Sequence, residues 1–154
     1  IGVYRTTTGI FYLWDTNANQ SMATPTYTAL LGNPGDTPFA GRWTADMNHD
    51  GLGVYRNSNG ILYMKKQLSG GFSDYSAILG NPGDVGIAGD WDGNGYDSPG
   101  IYRPSNTQFY LSNNSSPNGI VFSDINFLFG TATAKHQVFH PVYVVDFGGV
   151  DVSV

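Results

Sequence analysis

Short apolar runs separated by clusters of Gly, Asn, Asp, Pro, Ser and Thr set the rhythm of the chain. Gly2-Val3-Tyr4-Arg5 is followed by a polar turn, Thr6 to Gly9, and by the strand Ile10-Phe11-Tyr12-Leu13-Trp14. The same succession returns as Gly53 to Arg56, Asn57 to Gly60 and Ile61 to Met64, and again as Gly100 to Arg103, Pro104 to Thr107 and Phe109 to Leu111. Two apolar runs around a short polar turn read as a β-hairpin. Tyr27 to Leu31, Tyr75 to Leu79 and Phe122 to Leu128 supply a third strand. Two of these lead into Leu-Gly-Asn-Pro-Gly-Asp, at 31–36 and 79–84, and then into a fourth strand, Phe39 to Trp43 or Gly86 to Gly89. Ile10 to Trp14 and Ile61 to Met64 are apolar on both alternating faces, so each needs cover above and below. Stacked sheets provide that cover.

The chain is therefore expected to be all-β, with three four-stranded repeats of about 50 residues, at approximately 1–52, 53–99 and 100–154. Counted Tyr to Tyr, the intervals are 51 and 47 residues. Such a period is typical of β-propeller blades and other closed β arrays. Three units of this length also describe a β-trefoil, which closes alone and remains the alternative. The third repeat decays: Gly130-Thr131-Ala132-Thr133-Ala134 lacks the Asn-Pro-Gly-Asp turn, and Val142 to Val154 reads as a worn first strand. The chain opens at the second strand of a unit, so the expected arrangement completes the first unit from the C-terminal strand, from another copy, or from neighbouring repeats of a longer chain.

Composition sharpens this picture. All 12 acidic residues are aspartate, and 21 of the 154 residues are glycine, which suits turns and cation loops better than helices. Net charge is −5 with only seven Lys plus Arg, which excludes a nucleic-acid partner of the usual kind. No amphipathic or long apolar stretch points to membrane insertion. Cysteine is absent, so there is no disulfide framework and no thiolate chemistry.

Gly89-Asp90-Trp91-Asp92-Gly93-Asn94-Gly95-Tyr96-Asp97 is the stretch most suggestive of a site. It sets oxygen donors at positions one, three and five, a glycine at six and a further carboxylate beyond, a spacing that wraps one hard cation. Calcium is the ion implied. Asp46, Asn48 and Asp50 repeat the one-three-five pattern in the preceding unit as a second, less complete candidate.

The run from Leu79 to Leu111, containing Asn-Pro-Gly-Asp, the Asp90 loop and Gly-Ile-Tyr-Arg, resembles the tandem repeats of secreted bacterial proteins of the FG-GAP and VCBS group, related in plan to integrin α blades. That resemblance covers two repeats well and the third partly. It implies a β-propeller with calcium between first and second strands, held by Asp90, Asp92, Asn94 and Asp97 with the carbonyl of Tyr96. It also implies an extracellular role in adhesion or ligand binding. Asp97 stands one position earlier than the last carboxylate of many such loops, and Arg42 and Thr44 replace the first two ligands in the preceding unit.

Other candidates read as structural. His136 and His140, four apart in a strand, lie about 13 Å from each other, too far to share an ion. His49 beside Asp50 resembles an acid-base pair, but no nucleophile assembles around it. Trp43 and Trp91 hold equivalent positions and point to core packing, with Trp14 and exposed tyrosines as candidates for a sugar site. Asn113-Asn114-Ser115-Ser116 contains two overlapping glycosylation patterns. The expected function is a non-catalytic, calcium-stabilised extracellular module for adhesion, assembly or ligand binding. Its partners would be itself, neighbouring repeats, a glycan or a cell-surface protein. A carbohydrate-binding module, or an accessory domain of a larger secreted enzyme, is the alternative.

Overall fold

The computed structural model describes residues 1–16 and 24–130, and within them every regular element is a strand. His136, His140, the 131–134 turn and the 142–154 stretch lie outside the described residues. β1 (Gly2–Arg5), β2 (Ile10–Leu13) and β3 (Tyr27–Leu30) form an antiparallel sheet in that order. β4 (Thr37–Gly41), β5 (Gly51–Arg56), β6 (Ile61–Lys65) and β7 (Tyr75–Ile78) form a second antiparallel meander. β8 (Val85–Gly89), β9 (Ser98–Arg103), β10 (Gln108–Leu111) and β12 (Ile125–Leu128) form a third.

The strand after each Asn-Pro-Gly-Asp turn thus joins the next sheet, and the turns at 31–36 and 79–84 are crossovers between sheets. One strand was not legible in the pattern. β11 (Asn118–Ile120), in the connection between β10 and β12, reaches across and pairs in parallel with β7 of the second sheet. Val121 N–H continues the link by donating to Ile78 O, and Gly71 N–H donates to Leu30 O between the second and first sheets in the same way.

The two strands expected to need cover on both faces, β2 and β6, bury Phe11, Leu13, Leu62 and Met64 but leave Ile10, Tyr12, Ile61 and Tyr63 half-buried, whereas β5 is covered on both faces. Leu52 and Val54 face the first sheet, where Phe11, Leu13, Ala29 and Leu31 complete one core. Tyr55 points the other way, into a core with Leu62, Met64, Ala77, Ile101 and Val121. Every residue of Gly51 to Tyr55 is buried. Stacking is close enough that a Cβ on Gly86 of β8 would sit 2.4 Å from the Cβ of Tyr55. At roughly 25 cal/mol per Å² of apolar surface, these interlayers are the main favourable term in the fold.

A polar clip locks each crossover. Asp36, in the turn before β4, receives Arg56 of β5 through both Nε and Nη2, at 3.2 and 3.0 Å to Oδ2, while the same oxygen accepts Asn33 N–H at 2.8 Å. Asp84 repeats this with Arg103 at 3.3 and 2.8 Å and Asn81 N–H at 2.8 Å. The arginines stack over Tyr63 and Tyr110, 4.5 and 4.7 Å from the ring centres. The side chains of Asp36 and Asp84 are only 4% exposed, so each carboxylate depends on its clip for solvation. Hydrogen bonding and charge from Asp84 raise the pKa of Arg103. Tyr55 O–H donates to Asn81 O at 2.6 Å and fastens the second turn from below.

Three outcomes follow from this packing. Arg56→Ala leaves a buried carboxylate short of donors and is expected to cost about 1.5–3 kcal/mol in denaturant melts. Arg5→Ala, at the corresponding position, removes only an exposed stack on Tyr12 and should cost under about 1 kcal/mol. Thr107 closes the third hairpin at φ 57°, where the corresponding Gly60 sits at 72°. A β-branched residue is strained there by about 1–2 kcal/mol, so Thr107→Gly should raise the melting temperature despite its entropy cost.

Alkaline pH gives the fourth outcome. Burial, reinforced by the charge of Asp84, pushes the Tyr55 phenol up to about 12 from its ordinary 10.0. Its contribution is complete below pH 10, where both states hold the proton. It falls between 10 and about 12 because only the unfolded chain releases the proton there. Chemical denaturation across that window should show declining stability, and Tyr55→Phe should flatten the decline.

Candidate functional site

Each sheet has two unlike ends. Register places the tight hairpin turns 57–60 and 104–107, together with the clipped crossovers, at one end. At the other end lie the longer connections: 42–50 and 66–74 in the second sheet, 90–97 and 112–124 in the third. All the residues expected to hold a cation are on this second end.

The Asp90 loop is a self-bonded turn between β8 and β9. Asp90 accepts the N–H of Asn94 at 2.9 Å through Oδ1 and of Gly95 at 2.8 Å through Oδ2. Asp92 accepts Asn94 N–H at 3.3 Å, and Asn94 Oδ1 accepts Tyr96 N–H at 2.9 Å. Gly95 has φ 89°, the left-handed bend its place in the motif calls for. Asp90 and Tyr96 are half-buried; Asp92 and Asn94 are exposed.

Asp97 has a different setting. It is buried, its Oδ2 accepts Arg42 N–H at 2.7 Å, and its own N–H donates to Arg42 O at 2.7 Å. This pair of hydrogen bonds joins the 90–97 loop to the 42–50 loop of the neighbouring sheet. Asp97 is thus a strap between sheets whatever else it binds, a role its sequence spacing did not reveal. Only the fold brings residues 55 positions apart together.

In the 42–50 loop, Asp46 accepts the Thr44 hydroxyl and pairs with Lys66 Nζ at 2.9 Å. The Thr44 hydroxyl and then Lys66 lower its pKa to about 2. Asn48 is exposed and Asp50 half-buried. His49 Nδ1 lies 2.8 Å from Asp50 O, so that nitrogen donates to the backbone carbonyl. Among the described residues no three His or Asp side chains converge as a metal-binding group. The loops offer oxygen donors in sequence order, separately in each turn.

Trp43 is fully buried and donates through Nε1 to Lys65 O at 3.2 Å, as core packing requires. Trp91 is half-buried with its Nε1 unpartnered. Asn114 is exposed and Asn113 half-buried, which favours the former as a modification site.

The pattern reading missed two aromatic residues. Phe72 is 96% exposed and Phe122 83% exposed, each at the end of a long connection on the loop end. Both occupy the same short motif, Gly71-Phe72-Ser73-Asp74 and Val121-Phe122-Ser123-Asp124. Each motif is anchored alike: Asp74 accepts Lys66 N–H at 2.7 Å and Asp124 accepts Asn113 N–H at 2.8 Å. The repeated Phe-Ser-Asp was the available signal. An apolar assignment to the strand beginning at Phe122 concealed it.

The chain matches no protein-family model, no curated protein and no solved structure.

Proposed function

We propose that this chain is a non-catalytic β-repeat module of the propeller-blade kind that acts outside the cell, with a calcium-stabilised loop end presented to a ligand or cell-surface partner. The observation that carries this reading is the division of each sheet into a clipped end and a loop end. Clips and cores fix the stack, while the connections at the other end are free to vary and to bind. The sequence resemblance to FG-GAP and VCBS repeats supports the same reading.

Calcium fits the chemistry of the Asp90 loop. Asp90, Asp92 and Asn94 offer hard oxygen donors, and each acceptor already used by a backbone N–H retains a further lone pair. Asp97, held beside Arg42, and the Tyr96 carbonyl would complete the set. In the 42–50 loop Asp46 is engaged by Lys66, so Asp46, Asn48 and Asp50 form the weaker of the two candidate sets. An exposed loop with few carboxylates suits the roughly 10⁻⁴–10⁻³ M affinities of extracellular modules. Bound there, the ion would stiffen the β8–β9 connection and the Asp97 strap.

A carbohydrate-binding role is the second reading, favoured by Phe72 and Phe122. Exposed rings in equivalent positions are apolar platforms of the kind sugars and partner proteins stack on. The reading is non-catalytic because His49, the acid-base candidate, has its Nδ1 turned to the backbone carbonyl of Asp50.

Calcium binding restricted to the folded state adds RT ln(1 + [L]/Kd), about 2.7 kcal/mol at one hundred times Kd. Thermal melts in calcium and in chelator should differ accordingly, and Asp90→Asn should abolish the difference. Equal midpoints with no calcium by elemental analysis refute the metal site. A panel of glycosidase, esterase and peptidase substrates should show no turnover. Activity lost on His49→Ala would overturn the non-catalytic reading.

A further inference from the structure

The outer face of the first sheet carries the same side chains that the second and third sheets use for docking. Val3 and Tyr12 correspond to Val54 and Tyr63, which pack against the first sheet, and Arg5 corresponds to Arg56, which clips the crossover at Asp36. Yet Val54 is fully buried and Val3 is 60% exposed. Arg5 stacks 5.2 Å from the Tyr12 ring as its counterparts do, but among the described residues it has no carboxylate partner. Among the described strands β1 is also an edge strand, whereas β5 is paired by β4 and β9 by β8. Strand, stacked tyrosine and arginine are all in place, and among the described residues the clip lacks its aspartate.

The geometry points to a docking surface for one kind of partner, an extended segment that carries an Asn-Pro-Gly-Asp turn followed by a Gly- and Ala-containing strand. Its aspartate would receive Arg5 in the fork seen twice elsewhere, and its strand would pair antiparallel with β1, as β4 pairs with β5. The occupant is identified by what covers the identical face twice within this molecule. Addition of a strand to an exposed edge is a recurrent recognition mode, with backbone bonds for affinity and side chains for register.

A second copy of this chain does not meet that description. Its own turn aspartates, Asp36 and Asp84, are already clipped to Arg56 and Arg103. The face of the third sheet turned away from the second, whose Ile87, Tyr102, Phe109 and Leu111 form a buried cluster, also differs. Where the first two sheets set Ala29 and Ala77 opposite Phe11 and Leu62, the third sets Phe127 opposite Phe109, the rings stacked at 5.0 Å. Phe127 adds bulk where the other interlayers require a small residue. The partner is therefore a further unit of the same repeat chemistry, from the same polypeptide or another. This inference rests on the proposed stacking-module reading.

The test uses the full chain with a synthetic peptide of the sequence 79–89, which contains Asp84 and the β8 strand. Saturable binding is expected, with hydrogen-exchange protection of β1, at least tenfold weaker for Arg5→Ala and for a peptide with Asp84→Asn. As a second arm, a copy of residues 79–98 placed before Ile1 should raise the melting temperature, and Asp→Asn in that copy should remove the gain. The inference is overturned by absence of both effects, by binding indifferent to Arg5 and the aspartate, or by Arg5-independent self-association in light scattering. If it fails while Arg56→Ala still destabilises and calcium still shifts the melt, the module reading stands without this partner.

Discussion

An aspartate in a crossover turn, held by an arginine two strands later, is the interaction on which the arrangement of sheets depends. Stacked β-sheets gain most of their stability from apolar burial, which is non-directional and tolerates sliding. The Asp36–Arg56 and Asp84–Arg103 forks are directional, because a planar guanidinium meets a carboxylate in few orientations. Each carboxylate also bonds its own turn at Asn33 or Asn81. The clip thereby fixes the shape of the crossover and its position on the next sheet together. Tyr63 and Tyr110 hold the arginines flat and shield them.

Because the crossovers are clipped at one end of the sheets, the opposite end can carry long connections without loosening the stack. Asp97 and Arg42 supply a smaller backbone-to-carboxylate link there. Gly71 N–H on Leu30 O and β11 along β7 add further ties on the outer side. Exposed Phe72 and Phe122 are tolerated on these connections since neither belongs to a core cluster. Stability and presentation thus reside at different ends of the same strands.

The third sheet departs from the other two in several related ways. Thr107 replaces a turn glycine, Phe127 replaces a small residue, and residues 130–134 contain no aspartate. The first sheet keeps its receiving face intact, with Val3 and Arg5 uncovered.

The sequence by itself determined the strands and their hairpin pairing, since alternation of apolar residues around Gly- and Asn-rich turns is a local property. Recurrence of Gly-Val-Tyr-Arg and Asn-Pro-Gly-Asp also announced that one packing unit is used more than once. The one-three-five oxygens from Asp90 to Asn94 were legible for the same local reason, and they do curl into one turn. Which sheet receives the strand after each crossover was decided only in three dimensions, because β4 has apolar faces compatible with either neighbour. The pairing of Asp36 with Arg56, the attachment of Asp97 to Arg42 and the parallel β11 likewise join residues distant in sequence, where no local pattern records the contact. Exposure of Phe72 and Phe122 belongs with these, since a phenylalanine reads as core until the surrounding chain is seen to lie elsewhere.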